Sequence, residues 1–370
     1  VDLSNAAQAW AVDRDWAPPA PFASLFHTVE VADPAQYVAD RIGYQLVAAA
    51  GPGTTDCDAA AAALIGLVER RIAAVVENTS NVRPGLLLSG GIDSLLVAAC
   101  ARRIGVDPLA VTVLCDDSPD NTEPLEDSRA ITAATALGIE HRVISMTAAD
   151  VQALARRCIR LLETTELWEV CAAIPGLAAI EYLDAAGACG PALTGSGADA
   201  LFLGGEQLTA PVGSDEALAE YRSRVTAKVR RNFTRARLVP DFYERLLGDR
   251  GDRYVQVFQS ESFWRFSQII DPSLLWRTVP GAAGQPVQVD KYILRYAAQK
   301  LGLPSELAIT RKSPLQVSAG IVSALVTSAR ADLDGNPANR LYADPKAEPA
   351  EHTVARLYLE KLAWAQSVSS

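Results

Sequence analysis

The chain of 370 residues has no Cys-x-x-Cys pair; Cys57, Cys100, Cys115, Cys158, Cys171 and Cys189 stand singly, mostly in apolar surroundings. Neither a zinc ribbon nor a dithiol redox motif is indicated, and buried reduced thiols are the better reading. Only three histidines occur, His27, His141 and His352, far apart in sequence. A histidine metal site or a Ser-His-Asp triad therefore has thin support. Excess positive charge is lacking too: 34 Lys and Arg against 44 Asp and Glu leave a net charge of −10. This argues against a protein that coats nucleic acid, although a local basic groove stays open. No apolar run approaches a membrane span, and Val1-Asp2-Leu3-Ser4 has neither the basic nor the apolar region of a secretory signal. No membrane partner and a cytoplasmic location are the expectations.

What is present is an ordinary globular composition, 49% hydrophobic and 21% charged, enough for one large core or two moderate ones. The most informative stretch is Leu86-Leu87-Leu88-Ser89-Gly90-Gly91-Ile92-Asp93-Ser94, followed by Leu95 to Ala99. It reads as a strand, a tight turn and the start of a helix. Gly90 and Gly91 let the backbone approach a ligand closely, amides entering the helix suit an anion, and Ser89 and Ser94 add hydroxyls. Asp93 would repel a phosphate unless a divalent cation lay between them. The turn lacks the spacing of a Walker loop and that of a dinucleotide fingerprint. Phosphate with magnesium is the first reading.

Around this turn the chain alternates. Strands are expected at Leu86 to Leu88, Leu109 to Leu114, His141 to Met146 and Pro191 to Thr194. Helices are expected at Ala59 to Glu77 (capped by Thr55 or Asp56), Asp93 to Arg103, Glu126 to Leu137, Asp150 to Leu162 and Ala172 to Ala186. Short apolar strands joined by helices predict an α/β fold, a parallel sheet flanked by helices with ligands at the carboxyl ends of its strands. A second glycine-rich turn, Thr194-Gly195-Ser196-Gly197-Ala198-Asp199 to Gly205, ends the fourth strand. Asp199 either meets Asp93 to hold magnesium or caps a short helix. Arginines crowd Tyr221 to Arg253, as a solvated face or a wall for an anionic substrate. Gln256 to Trp276 is aromatic and apolar, core with some pocket lining. A helix over Val289 to Lys300 puts Lys291 and Arg295 on one side. Lys312, in Arg311-Lys312-Ser313-Pro314, suits a mobile loop that balances negative charge. Either lysine could equally be a surface residue. A last helix is expected from His352 to Trp364.

Ser-Gly-Gly-Ile-Asp-Ser resembles the PP-loop of the ATP pyrophosphatases, which cleave ATP between the α- and β-phosphates. Over about Pro84 to Gly320 the chain is similar to the synthetase domain of asparagine synthetases and the related β-lactam synthetases. Besides the PP-loop, this similarity rests on the acidic turn and helix ending at Leu137 to His141, on Glu163-Thr164-Thr165, on Thr194 to Gly205, on Asp290 to Leu294 and on Arg311 to Gln316. The resemblance implies an adenine-nucleotide α-hydrolase-like (PP-loop) fold in three parts. Residues 1–54 form a small amino-terminal segment that is not a functional glutaminase, 55–330 the synthetase domain, and 331–370 a carboxy-terminal loop and helix.

It further implies ATP and Mg2+ as cofactors, with Asp93 and Asp199 on the metal and Ser89, Gly90, Gly91 and Ser94 around pyrophosphate. Backbone at Leu88, Val113 and Gly195 would hold adenosine, and Lys291 and Lys312 would serve the triphosphate and the catalytic step. The implied activity is an AMP-forming carbon-nitrogen ligase, in specialised metabolite biosynthesis, whose partners are a small-molecule carboxylate and a nitrogen nucleophile; a homo-oligomer is left open. Two departures stand out. The Arg-Pro-Phe-Leu-Asp run of asparagine synthetases is missing, which implies a rebuilt acceptor pocket. Ser196 replaces the third-position Glu or Tyr implicated in deprotonating the amine, and an unassisted serine is a poor base. Three outcomes follow: a nucleophile already uncharged, another base among Glu163, Glu166 and Glu206, or a protein that stops at adenylation. A sulfur-transferring PP-loop enzyme and a non-catalytic nucleotide-binding partner of another synthase are the alternative readings.

Overall fold

A computed structural model describes residues 19, 21–26, 51–77, 79, 82–115, 126–232, 242–280, 285–309, 319–333 and 350–367. In chain order the main elements are α1 (Cys57–Glu77), β1 (Gly85–Leu87), α2 (Ile92–Arg103), β2 (Leu109–Cys115), α3 (Glu126–Leu137), β3 (His141–Met146), α4 (Ala148–Leu162), α5 (Leu167–Ala185), β4 (Ala192–Thr194), α6 (Ala198–Phe202) and α7 (Asp215–Asn232). They continue with α8 (Phe242–Leu247), β5 (Tyr254–Gln256), α9 (Glu261–Ile269), β6 (Arg277–Pro280), β7 (Pro286–Val289), α10 (Tyr292–Lys300), α11 (Ser305–Ile309), α12 (Ile321–Leu333) and α13 (Ala350–Ser367).

The five parallel strands run in the order β3-β2-β1-β4-β5. Alternation along β2 divides the core. Ala110 faces one cluster with α1, α2, α9 and α10, while Leu109, Val111, Val113 and Cys115 face a second with α4, α5, α12 and α13. Helices thus cover both faces, as the apolar strands require. The chain adds β2 and β3 on one side of β1, then returns to lay β4 on the other. Loops leaving β1 and β4 part at this reversal and open a crevice at the strands' carboxyl ends.

Several expected boundaries shift for local reasons. Asp56 caps α1, its Oδ1 accepting from the Ala59 amide at 3.0 Å. α4 starts earlier because Thr147 and Asp150 form a reciprocal capping box. α5 starts at Leu167 because Glu166 accepts from the Glu169 amide. The helix expected from Val289 begins only at Tyr292; residues 286–289 pair with 277–280 as an antiparallel hairpin. Residue 331, where the carboxy-terminal part was expected to begin, lies inside α12. Among the described residues no helix is long and apolar enough to cross a membrane.

Candidate functional site

The site starts where β1 ends. Thr112 donates its hydroxyl to the Leu88 carbonyl, and the turn that follows closes on itself. Ser94 donates to the Gly91 carbonyl at 3.0 Å, accepts from the Ser89 amide at 3.2 Å and meets the Ser89 hydroxyl at 3.2 Å. Gly90 takes the left-handed conformation, with φ +73°. No side chain caps the start of α2, so its first amides and its dipole are directed at the turn.

Asp93, on the first turn of α2, is buried. Both its carboxylate oxygens accept from Lys291 Nζ, at 2.7 and 2.6 Å, and the same ammonium lies 2.6 Å from Asp199 Oδ1. Lys291 has no exposed surface. A buried ammonium is tolerable only when paired, and here two carboxylates pair it. Its backbone, at φ +48°, precedes α10 rather than belonging to it. Glycines permit this crowding. A Cβ on Gly195 would stand 2.7 Å from Asp93 Cβ and 2.8 Å from the Ser94 nitrogen, and one on Gly204 would overlap Asp199 Oδ1 and Lys291 Cε. Arg295 points elsewhere than its neighbour: it donates to both the side chain and the carbonyl of Asp290 and to the Ala308 carbonyl. Asp290 in turn accepts from the Gly205 amide at 2.9 Å. Burial opposes ionisation there, but the Arg295 and Gly205 hydrogen bonds hold the Asp290 carboxyl below its ordinary value.

Above this cluster lies a cavity of about 890 Å³, bordered by Leu88, Ser89, Gly91, Asp93, Ser94, Val113, Gly195, Ser196 and Asp199. Nine residues expected from sequence are therefore brought to one crevice, with Gly90 inside the same turn and Lys291 beneath it. Glu163 is not among them. It ends α4 in a left-handed conformation (φ +53°), exposed and away from the cavity lining. Glu166 is engaged in capping α5 and pairs with Arg356 at 3.0 Å. Of the three carboxylates considered as bases only Glu206 borders the cavity, and it forms ion pairs with Lys228 and Arg224. Lys312 lies outside the described residues.

Trp276, from the stretch expected to supply some pocket lining, borders the cavity, and its Nε1 donates to the Glu206 carbonyl at 3.0 Å. The sequence reading missed Pro286, Val287, Gln288 and Val289, which border it too. Phe258, Phe263 and Phe266 are core, as their apolar surroundings suggested. Tyr254, at the start of β5, also borders the cavity. It stacks on Tyr243 with ring centroids 4.1 Å apart. Burial, reinforced by Tyr243, pushes its phenol well above the ordinary value. Of the arginine-rich stretch, Arg222 is buried against the Gln268 and Gly51 carbonyls, so it is neither a solvated face nor part of the cavity lining.

Two carboxylates converging on one cation are a donor set that magnesium accepts, since that ion commonly takes one or two carboxylates and leaves its other positions to phosphate and water. Among the described residues no cluster of three or more acidic, histidine or cysteine ligands occurs. A family model described as asparagine synthase matches residues 68–268, more than half of the chain. No curated protein matches it.

Proposed function

The chain belongs to the asparagine synthase family, whose members are ATP-dependent amide-forming synthetases, and from that premise we propose an AMP-forming carbon-nitrogen ligase. It adenylates a small-molecule carboxylate, releasing pyrophosphate, and passes the acyl group to a nitrogen nucleophile, in specialised metabolite biosynthesis. The observation that carries this reading is the meeting of the Ser89–Ser94 turn with the Gly195–Asp199 turn over one buried lysine, at the mouth of adjacent strands.

Each part has a task. Adenosine lies against backbone at Leu88, Val113 and Gly195, which border the cavity. The α2 amides and the Ser89 and Ser94 hydroxyls hold the leaving pyrophosphate, and Lys291 balances charge that builds on it. Lys312, by its place in the family pattern, adds a second cation. Asp93 and Asp199 would hold magnesium, which when bound neutralises phosphate oxygens as a Lewis acid. Fixing the acid oxygen in line with the α-phosphorus supplies much of the rate. No cysteine lies among the cavity's described lining residues, which disfavours sulfur transfer.

The test is pyrophosphate release from ATP across a broad panel of carboxylic acids. At least one acid is expected to elicit it, and Asp93→Asn is expected to abolish it. ATP binding without pyrophosphate release for any acid would leave a nucleotide-binding protein with no synthetase activity.

A further inference from the structure

The two carboxylates that would hold magnesium already share a cation. Lys291 Nζ stands 2.7 and 2.6 Å from the two oxygens of Asp93 and 2.6 Å from Asp199 Oδ1. Both oxygens of Asp93 are thus committed to the ammonium, whereas magnesium sits about 2.0–2.1 Å from its oxygen ligands. A metal ion on either oxygen, with Nζ still in place, would set two cations less than about 5 Å apart in a poorly solvated cluster. One of them has to yield.

Where the ammonium can go is limited by what surrounds it. Lys291 is fully buried, and Asp93, Asp199 and Gly204 border the cavity while Lys291 lies behind them. A Cβ on Gly204 would stand 2.2 Å from Lys291 Cε and 2.9 Å from Nζ, so that glycine walls the side chain closely. The backbone is pinned as well: the Lys291 carbonyl accepts from the Leu294 and Arg295 amides, and the Tyr292 amide donates to the Leu275 carbonyl. Movement is left to the side chain alone. Past the two carboxylates it enters the cavity, where the phosphates of a bound nucleotide would meet it.

We propose that Lys291 is a place-holding cation that competes with the divalent ion for Asp93 and Asp199, so that the nucleotide-free protein binds metal weakly and metal enters only together with a triphosphate. This inference rests on Asp93 and Asp199 as the metal ligands in the function proposed above, and adds an order of binding to it. Without nucleotide, a metal ion would strand the ammonium buried and unpaired, which is the costly outcome. With nucleotide, phosphate oxygens replace the carboxylate oxygens that Nζ gives up. The lysine therefore serves first as a lock on the metal site and then as the charge that faces the leaving pyrophosphate.

The test titrates Mn2+, a paramagnetic substitute for magnesium, into the full chain without nucleotide and follows the free-ion spin-resonance signal. Lys291→Gln is expected to bind Mn2+ at least about tenfold more tightly than wild type, because a neutral amide replaces the competing charge. Lys291→Arg, which keeps the charge, should bind it no more tightly than wild type. Adding Asp93→Asn to Lys291→Gln should abolish the gain, which locates the ion at this pair. Thermal melts guard against a folding defect: Mn2+ should raise the midpoint of Lys291→Gln by more than that of wild type, and a variant unfolded in metal-free buffer should refold on its addition. Mn2+ bound by Lys291→Gln no more tightly than by wild type, a gain that survives Asp93→Asn, or an unfolded variant that Mn2+ fails to rescue would overturn the proposal. Pyrophosphate release is assayed separately. Its absence with every acid would remove the adenylation reading, while the metal titration would still decide the exchange.

Discussion

The two glycine-rich turns that border the cavity are built in opposite ways. The first, Ser89 to Ser94, is tied by hydrogen bonds spanning at most five residues. The second, Gly195 to Gly205, is held by Asp93, Asp290 and Lys291, all distant in sequence. A locally closed turn keeps its shape whatever surrounds it, which suits a phosphate cradle common to many reactions. A turn fixed by distant partners takes its shape from the rest of the fold. The chemistry peculiar to this chain is therefore concentrated in the second.

The contrast is broken most severely by Gly204→Ala, whose new methyl overlaps both Asp199 and Lys291. Pyrophosphate release should vanish and stability should fall by more than about 4 kcal/mol in a denaturant melt. Next comes Lys291→Gln, which leaves Asp93 and Asp199 facing each other without their ammonium. Losing one member of a buried ion pair costs about 3–5 kcal/mol, and pyrophosphate release should drop about 10²–10³-fold. Ser94→Ala loosens the first turn only. Steady-state kinetics should give an ATP KM raised about tenfold, with a stability loss of about 1–2 kcal/mol.

The smallest effect on catalysis is expected at the other end of α2. Glu69 on α1 is buried beside Arg103, the last residue of α2. Burial raises its carboxyl to about 7, with Arg103 opposing. Between its unfolded value near 4.5 and about 7 the folded chain holds a proton that the unfolded chain has released. Stability contributed there is full at low pH and is lost as pH rises through that window. Glu69→Gln should remove about 1–3 kcal/mol of that slope in melts at pH 5 and pH 8, with pyrophosphate release within about twofold of wild type.

The same contrast explains what was legible in the sequence. The first turn, four of the five strands and the Asp93–Asp199 meeting follow from local patterns and from the order of strands. β5 escaped because three residues carry no periodicity, and the hairpin at 277–289 because its second strand runs straight into α10. Lys291 and Arg295 were expected to share a helical face. The left-handed turn at Lys291 separates them, one going to Asp93 and Asp199, the other to Asp290 and Ala308. Glu163 was a reasonable base by residue type, yet a helix end exposes it. Nothing local to Tyr254 points at the cavity; the β4–β5 pairing places it there.

The most direct measurement follows the label of ATP carrying phosphorus-32 in its α-phosphate, during turnover with an acid that activates the protein. The account predicts that the label appears in AMP, with unlabelled pyrophosphate in equal amount. Label in ADP, with inorganic phosphate as the other product, would contradict cleavage between the α- and β-phosphates and with it the assignment of the Ser89–Ser94 turn.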